Sequence, residues 1–256
     1  MKRWSIGLVI LAAIIGIAAP VSAKTIGVVL MHGNTDSPSG TTALLATAME
    51  NAGYLVERPE MCWSYRRRRD RAFLDCLEEL EAPIARLRHR GADAIVVAGM
   101  SWGGTAALAF GARHPGLAGI IALAPAAAER LVTVSPRIAQ SVAEAKAIAA
   151  AGRGDQRASF NDQNVRGPFQ VDTTAAVYLS FFDPNGPANM LDNTSRLREP
   201  LLWVAGTADH SQPGPGYAFS HAPANPLNRY VTVSADHLGT PTAAREAVLA
   251  WMQELR

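Results

Sequence analysis

Apolar runs and amphipathic stretches follow one another in a regular order along this chain of 256 residues. The apolar runs have the length of buried strands, and the stretches between them carry apolar residues at helical spacing. The predicted strands span residues 25–31, 54–58, 94–98, 119–124, 201–205 and 230–234. This alternation predicts an α/β fold: a doubly wound, mostly parallel sheet of about six strands with helices on both faces.

One region interrupts the alternation. Residues 126–199 lie between the fourth and fifth predicted strands and contain one predicted helix, 138–151, followed by a polar stretch rich in glycine, aspartate, asparagine and arginine. An insertion at this point of the fold is a candidate cap over a site at the strand ends. We therefore expect a single domain over residues 24–256 that includes this insertion.

Residues 1–23 have the features of a signal peptide. Lys2 and Arg3 precede an apolar run, 6–19, that is short for a membrane span, and residues 21–23 form a small-residue cleavage site. This pattern predicts a periplasmic or secreted protein that contacts the membrane only through the leader before cleavage. An uncleaved membrane anchor is the alternative.

The charges of the mature chain balance. Two of the 24 basic residues lie in the leader, so 22 basic residues remain beside 22 acidic ones. A neutral domain has no general attraction for nucleic acid, so no nucleic-acid partner is expected. The four arginines at 66–69 form a local charge run, which is typical of a solvated face. The alternative is attraction of an anionic substrate or of a membrane surface.

The chain has two cysteines, Cys62 and Cys76. An even number of cysteines in an exported chain predicts one disulfide, here between the loop after the second strand and the next helix. Two free, buried thiols are the alternative. No group of residues has the spacing of metal ligands, so neither a metal nor a cofactor is expected.

The motif Gly99-Met100-Ser101-Trp102-Gly103 lies between a predicted strand and a predicted helix. G-x-S-x-G in this context is typical of a nucleophile elbow, in which the serine occupies a strained turn. The glycines make this turn possible, because side chains at Gly99 and Gly103 are expected to collide with the serine. Ser101 is therefore the predicted nucleophile; a glycine-rich turn with an idle serine is the alternative.

Two further reactive side chains follow the ends of later strands. Asp209 comes after the fifth predicted strand and His237 after the sixth. Because reactive residues in such sheets lie at the carboxyl ends of the strands, Ser101, Asp209 and His237 are predicted to meet. His237 would accept the proton of Ser101, and Asp209 would orient the imidazole ring.

Other residues compete for these roles. The alternative acids are Asp183, Asp192 and Asp236, and the alternative bases are His210 and His221. Trp63 and Tyr65 follow the second strand and are predicted to line an acyl or alcohol pocket, with ordinary packing under a loop as the alternative.

The order of Ser101, Asp209 and His237 resembles that of the α/β-hydrolase family, over nearly all of residues 24–256. The pair His32-Gly33, after the first strand, is similar to the family's oxyanion loop. The chain most resembles small exported members of the dienelactone-hydrolase-like group, except that Ser101 stands where dienelactone hydrolases have cysteine. The resemblance implies that the backbone N–H groups of Asn34 and Trp102 bind the oxyanion.

These features together predict a serine hydrolase. Its expected reaction is cleavage of a small-molecule carboxylic ester or thioester through an acyl-enzyme intermediate, without a cofactor or metal. A peptidase or amidase with the same triad is one alternative, because the fold alone does not separate these activities. A non-catalytic binding protein of the same fold is the other, and labelling by a fluorophosphonate distinguishes it from an enzyme.

Overall fold

A computed structural model describes Met1 and residues 24–256; the rest of the predicted leader lies outside the described residues. The strands are β1 (Ile26–Met31), β2 (Leu55–Glu57), β3 (Ala94–Met100), β4 (Gly119–Leu123), β5 (Arg157–Asn164), β6 (Gly167–Thr174), β7 (Leu201–Gly206) and β8 (Arg229–Val233). The helices are α1 (Ala43–Asn51), α2 (Phe73–Glu78), α3 (Glu81–His89), α4 (Trp102–Gly111), α5 (Ala128–Val134), α6 (Pro136–Ala150), α7 (Ala175–Phe182), α8 (Met190–Ser195), α9 (Thr240–Ala243) and α10 (Arg245–Gln253).

Six strands form one sheet in the order β2-β1-β3-β4-β7-β8, and all neighbouring strands are parallel. The predicted α/β architecture, including the number of strands in the main sheet, is confirmed. The order places β1, β3, β7 and β8 so that their carboxyl ends lie along one edge. Reactive residues that follow these strands are therefore brought to the same side of the molecule.

Strand β1 shows why its sequence is continuously apolar. Val28 and Leu30 belong to the core on one face of the sheet, whereas Val29 and Met31 belong to the core on the other face. Side chains alternate between faces along a strand, and both faces of this sheet are covered. Helices α1 and α10 supply buried residues to the first core, and α2, α3 and α4 supply them to the second.

The helical pattern over residues 73–89 is divided between two helices. A single helix kinked or broken at Pro83 is predicted by the sequence, but α2 ends at Glu78 and α3 begins at Glu81. Pro83 then lies in the first turn of α3. Proline is tolerated there because amide groups in a first turn have no partner within the helix.

The insertion between β4 and β7 contains α5, α6, α7, α8 and an antiparallel hairpin formed by β5 and β6. The hairpin was not predicted, because two of its four buried side chains, Asp162 and Thr173, are polar and only Phe160 and Val171 are apolar. The apolar pair belongs to the same core as α4, so the insertion packs directly on the sheet domain. Within residues 24–256, no helix has the length and hydropathy of a membrane span.

Candidate active site

Ser101 lies between β3 and α4 in a backbone conformation that is rare for a residue with a side chain. Its φ is 55° and its ψ is −119°. The turn is held by two backbone hydrogen bonds, from the Ser101 N–H to the Leu123 carbonyl (2.9 Å) and from the Ala126 N–H to the Ser101 carbonyl (3.2 Å). Such strain persists only where the surrounding structure enforces it, and it is common at functional sites.

The glycines of the motif allow this turn to form. A Cβ atom at Gly99 would collide with the backbone of Gly103, and one at Gly103 would lie 2.6 Å from the Met31 carbonyl oxygen and 2.7 Å from that of His32. Neither position therefore has room for a side chain. Their close neighbours are each other and the end of β1, rather than the serine itself.

His237 and Asp209 are joined by a partly buried hydrogen bond. His237 Nδ1 lies 2.6 Å from Asp209 Oδ2. The other carboxylate oxygen, Oδ1, accepts hydrogen bonds from the Ser211 N–H (3.0 Å) and the Ser211 hydroxyl (2.6 Å). With Nδ1 donating to the carboxylate, the Nε2 atom of the neutral ring is left as a proton acceptor.

Asp209 is held in its ionised form. Burial by itself raises the pKa of this carboxyl group, but the hydrogen bonds from His237 and Ser211 outweigh it, and the net effect is a pKa below the ordinary value. The charged carboxylate accepts the Nδ1 proton and so fixes the tautomer and orientation of the ring. That is the arrangement a general base requires.

The end of β1 supplies a second element of the site. Asn34 lies in a turn in which the Asp36 N–H donates to the Gly33 carbonyl (3.3 Å). Trp102 is the first residue of α4, where backbone amides have no partner within the helix. Within residues 24–256, neither the Asn34 N–H nor the Trp102 N–H has an acceptor, and both residues border the cavity of Ser101. Both amides are thus available to an anion.

His32 has a structural role beside this turn. Its Nδ1 atom is 2.9 Å from the Gly33 carbonyl oxygen, and its Nε2 atom accepts the Met61 N–H at 3.1 Å. The ring is therefore the neutral tautomer protonated at Nδ1. Burial lowers the pKa of His32, which keeps the ring neutral. Both ring nitrogens are occupied, so His32 has none left to act as a base.

Ser101 and His237 border one cavity of about 360 Å³. The other lining residues are Gly33, Asn34, Asp36, Thr41, Met100, Trp102, Pro125, Ala126, Ala127, Arg130, Leu131, Val134, Gln163, Asn164, Val165, His210, Ser211 and Leu238. Many of these come from α5 and the turn of the hairpin, which belong to the insertion 126–199 that the sequence makes a candidate cap over the site. The sequence did not indicate which residues of the insertion face the cavity. No hydrogen bond joins the Ser101 hydroxyl to the imidazole in residues 24–256. In free enzymes this contact is often long and shortens when substrate binds.

The alternative acids have other partners. Asp236 Oδ1 accepts the Gly239 N–H (2.7 Å) just ahead of α9. Asp183 forms an ion pair with Lys146 (3.1 Å), and Asp192 pairs with an arginine one helical turn later on the insertion. Asp209 is the carboxylate that hydrogen-bonds to His237.

The two alternative bases are exposed. His210 borders the cavity from the loop after β7, next to the buried Asp209. His221 lies in a short 3-10 helix, Phe219–His221, away from the lining residues. Of these histidines and His237, His237 is the one bonded to a carboxylate in the described part of the chain.

Trp63 and Tyr65 do not line this cavity, contrary to the sequence-based expectation. Trp63 is only 1% exposed and packs against Phe73, and its indole N–H donates to the His32 carbonyl (2.9 Å). Tyr65 is 51% exposed and hydrogen-bonds to Arg66. The loop after β2 folds onto the core beside α2, so its aromatic residues support the turn of Asn34 rather than line the cavity.

The arginine run 66–69 is not a uniform solvated face. Arg66 and Arg68 are exposed, and Arg67 forms ion pairs with Glu79 and Asp70. Arg69 is buried. Its environment depends on the hairpin, which is remote in the sequence.

The predicted disulfide joins Cys62 to Cys76. Its two residues are 14 positions apart, so the bridge ties the loop after β2 to α2. Bridging a loop of this length stabilises a protein by about 3 kcal/mol in the chain-entropy model.

The double variant Cys62→Ser/Cys76→Ser is expected to lose about this amount of unfolding free energy, measured by urea denaturation. Because Trp63 and Tyr65 lie outside the cavity, the Michaelis constant for a small ester should stay close to that of the wild type. Two alkylatable thiols in native protein from an oxidising compartment would contradict the bridge. A raised Michaelis constant would show that the loop reaches the substrate.

A family model described as serine aminopeptidase, S33, matches residues 22–219 of the chain. The chain belongs to this family of α/β hydrolases. The matched region contains Ser101, Asp209 and the whole insertion, and it ends before His237. A search among curated proteins finds no match.

Solved structures of several α/β hydrolases share the fold of this hydrolase. An α/β hydrolase, GrgF, from Penicillium sp. sh18 is 17% identical, with a TM-score of 0.67 and coverage of 92% of this chain and 90% of that one. A monoacylglycerol lipase from Paleococcus ferrophilus is 19% identical, with a TM-score of 0.65 and coverages of 90% and 95%. Est1E from Butyrivibrio proteoclasticus with bound ferulic acid is 15% identical, with a TM-score of 0.63 and coverages of 91% and 90%. At these identities the likeness concerns the fold.

Proposed function

We propose that this hydrolase cleaves a carboxylic ester or thioester through an acyl-enzyme intermediate. The observation that carries the proposal is the His237–Asp209 hydrogen bond at the cavity that Ser101 borders from its strained turn. Ser101 is then the nucleophile, His237 the general base, and Asp209 the residue that orients the imidazole ring. The Asn34 and Trp102 amides form the oxyanion hole.

In the first half of the reaction, the Ser101 hydroxyl attacks the carbonyl carbon of the ester. Its proton passes to His237 Nε2, and the carbonyl oxygen becomes an anion facing the two amides. Collapse of this intermediate breaks the bond to the leaving group, which takes the proton from His237. In the second half, water attacks the acyl-enzyme by the same route and releases the carboxylic acid.

The lining of the cavity supports an ester with an apolar acyl group. Most side chains contributed by α5 and the residues just before it are apolar, including Pro125, Ala127, Leu131 and Val134. Its volume, about 360 Å³, lies at the lower end of the range for small-molecule sites. A short to medium acyl chain is the substrate these dimensions fit.

A panel of p-nitrophenyl esters of increasing acyl length tests this assignment. We expect kcat/KM to rise by up to about fourfold for each added methylene, because burying one contributes about 0.8 kcal/mol, and to fall once the chain outgrows the cavity. Aminoacyl p-nitroanilides measured in parallel should react far more slowly. Equal rates for all chain lengths would contradict an acyl site in this cavity.

Val134 and Leu44 provide a matched pair of variants for this panel. Val134 borders the cavity and is 58% exposed, whereas Leu44 is 57% exposed and lies outside it. Val134→Asp should reduce kcat/KM for the longer esters and leave the acetate ester unchanged. Leu44→Asp should change neither.

The family description favours one alternative activity, that of an aminopeptidase. Such an enzyme must bind the α-ammonium group of its substrate, and Asp36 is the acidic residue that borders the cavity. Faster hydrolysis of the anilides than of the esters, with loss of that activity in Asp36→Asn, would replace the ester assignment by this one.

We also propose that the protein is exported. The leader pattern of residues 1–23 and the disulfide between Cys62 and Cys76 support this location, since disulfides persist in oxidising compartments. N-terminal sequencing of protein recovered from the periplasm or medium should begin at Lys24. Recovery in the membrane fraction with Met1 retained would contradict cleavage.

A further inference from the structure

A buried ion pair links the arginine run to the hairpin of the insertion. Arg69 Nη2 lies 2.5 Å and Nε 3.1 Å from Asp162 Oδ2, and both side chains are only 1% exposed. The two residues are 93 positions apart in the sequence. Neither lines the cavity of Ser101, so neither is placed to touch the substrate.

The pair contacts the side chains of both residues that supply the oxyanion-hole amides. The Asn34 side-chain amide lies 3.4 Å from each Asp162 oxygen, and Arg69 Nη2 is 3.4 Å from Asn34 Oδ1. On its other side, the guanidinium carbon of Arg69 lies 4.8 Å from the centre of the Trp102 ring. A single planar cation therefore contacts the side chains of both residues, and Phe181 packs against it at 4.5 Å.

The backbone at Arg69 is also held in a fixed conformation. Arg68 and Arg69 both have positive φ, 49° and 58°, although neither is glycine. The Arg69 N–H donates to the Cys62 carbonyl (2.7 Å), and the Arg69 carbonyl accepts from the Thr173 hydroxyl (2.8 Å). A strained conformation secured at several points is a sign that the position of the side chain matters.

Stability does not account for such a pair. Removing two charges from water is costly, and well-packed apolar side chains of similar size are often as stable as a buried ion pair. The pair instead fixes geometry. The planar, forked guanidinium holds the groups it contacts at defined positions relative to one another. Oxyanion donors need this accuracy, since the distances at which they act span a range only about 0.4 Å wide.

We propose that Arg69 and Asp162 are positioning residues that hold the Asn34 turn and Trp102 in the geometry of the oxyanion hole. The inference rests on the proposed function, since it assigns the pair to the transition state of that reaction. Removing one oxyanion donor typically lowers kcat by 10²–10³-fold, so displacing both partially should lower it by roughly 10- to 100-fold. Binding of the ground-state ester should change little.

The test compares two double variants. Arg69→Met/Asp162→Leu removes the pair without leaving an unpaired buried charge. Arg67→Met/Glu79→Leu removes the ion pair between a neighbouring arginine and the end of α2, in which Arg67 Nη1 is 2.5 Å from Glu79 Oε2, and serves as the control. The readouts are kcat and KM with p-nitrophenyl butyrate, the melting temperature, and the inhibition constant of an alkyl trifluoromethyl ketone. That inhibitor bonds to Ser101 and carries an oxyanion in the adduct.

For the Arg69/Asp162 variant we expect kcat to fall by roughly 10- to 100-fold with KM within about threefold of the wild type. Trifluoromethyl ketone affinity should fall in parallel with kcat/KM. The Arg67/Glu79 variant should keep both constants. A folded Arg69/Asp162 variant with wild-type kcat, or with kcat and ketone affinity that do not change together, would overturn the inference.

Arg69→Lys covers the case in which the double variant does not fold, because it keeps a positive charge opposite Asp162 and removes only the guanidinium fork. It should also lower kcat, and an unchanged kcat in this variant would overturn the inference. The proposed function fails separately, through a wild-type protein that neither hydrolyses the esters nor binds the ketone.

Discussion

Replacing Ser101 by alanine is expected to lower kcat for p-nitrophenyl esters by on the order of 10⁵- to 10⁶-fold. In the proposed reaction this hydroxyl forms the covalent bond to the acyl group, and alanine removes it without adding volume to the tight turn between β3 and α4. Residual turnover above the uncatalysed rate should remain, because the oxyanion amides and the cavity are unchanged. A fluorophosphonate should add to the wild type at Ser101, as measured by peptide mass spectrometry.

Ser220→Ala is the matched control, because Ser220 is exposed and lies outside the cavity. Both variants should retain the circular dichroism spectrum of the wild type and melt within a few degrees of it. Phosphonate attachment to another residue of the wild type, or undiminished turnover in Ser101→Ala, would show that Ser101 is not the nucleophile.

Removing His237 or neutralising Asp209 should produce the next largest losses. His237→Ala is expected to cost about as much as Ser101→Ala, because a serine hydroxyl is a weak nucleophile without its base. Asp209→Asn should lower kcat by on the order of 10⁴-fold, since an amide holds the imidazole in the wrong tautomer. Combined with Ser101→Ala, neither change should add its full effect, because the residues act as one unit.

The pH dependence of these variants gives a second measurement. Protonation of His237 removes the acceptor for the Ser101 proton, so the rate should fall as the pH decreases. The residual activity of His237→Ala should lack this acidic limb, because the base that is protonated is gone. A limb that persists in His237→Ala would indicate that another group acts as the base.

Asp209 also links the site to stability at low pH. The folded protein lowers the pKa of this carboxyl below 3.8, its value in the unfolded chain. The unfolded chain therefore binds the proton more readily, so the stabilisation is present above about pH 4 and is lost as the pH falls through the lower, folded-state pKa. Asp209→Asn should show a smaller loss of melting temperature than the wild type over that interval.

His210→Ala is the control for the identity of the base. His210 borders the same cavity but does not bond to Asp209 in the described residues. We expect a mild effect on kcat from its replacement. A severe loss in His210→Ala beside a mild one in His237→Ala would exchange their roles.

Local patterns carried enough information for the fold and for the sites at the strand ends. Strand β1 is read correctly because burial on both faces requires an uninterrupted apolar run. Ser101 stands out because the strand, the turn glycines and the helix are adjacent in sequence. Asp209 and His237 are found by topology, since parallel strands place their carboxyl ends along one edge.

Local patterns do not predict the environment of side chains whose partners are distant in sequence. Trp63 looked like a pocket residue because it follows a strand, but the fold of its loop directs it into the core beside Phe73. The hairpin was missed because buried Asp162 and Thr173 give its strands a polar pattern. Their burial is tolerated because Asp162 pairs with the Arg69 guanidinium and the Thr173 hydroxyl donates to the Arg69 carbonyl.

The sequence by itself thus determined the parallel sheet, the disulfide, and the order in which a serine, an acid and a histidine follow strand ends. Periodicity and glycine sterics act over a few residues and are visible in one dimension. The tertiary structure decided which histidine bonds to Asp209, which surfaces form the cavity, and that one arginine of a charge run lies buried against the side chains of Asn34 and Trp102. Those outcomes depend on packing between segments far apart in the chain, because the free energy of burying a polar group is set by the partner it meets.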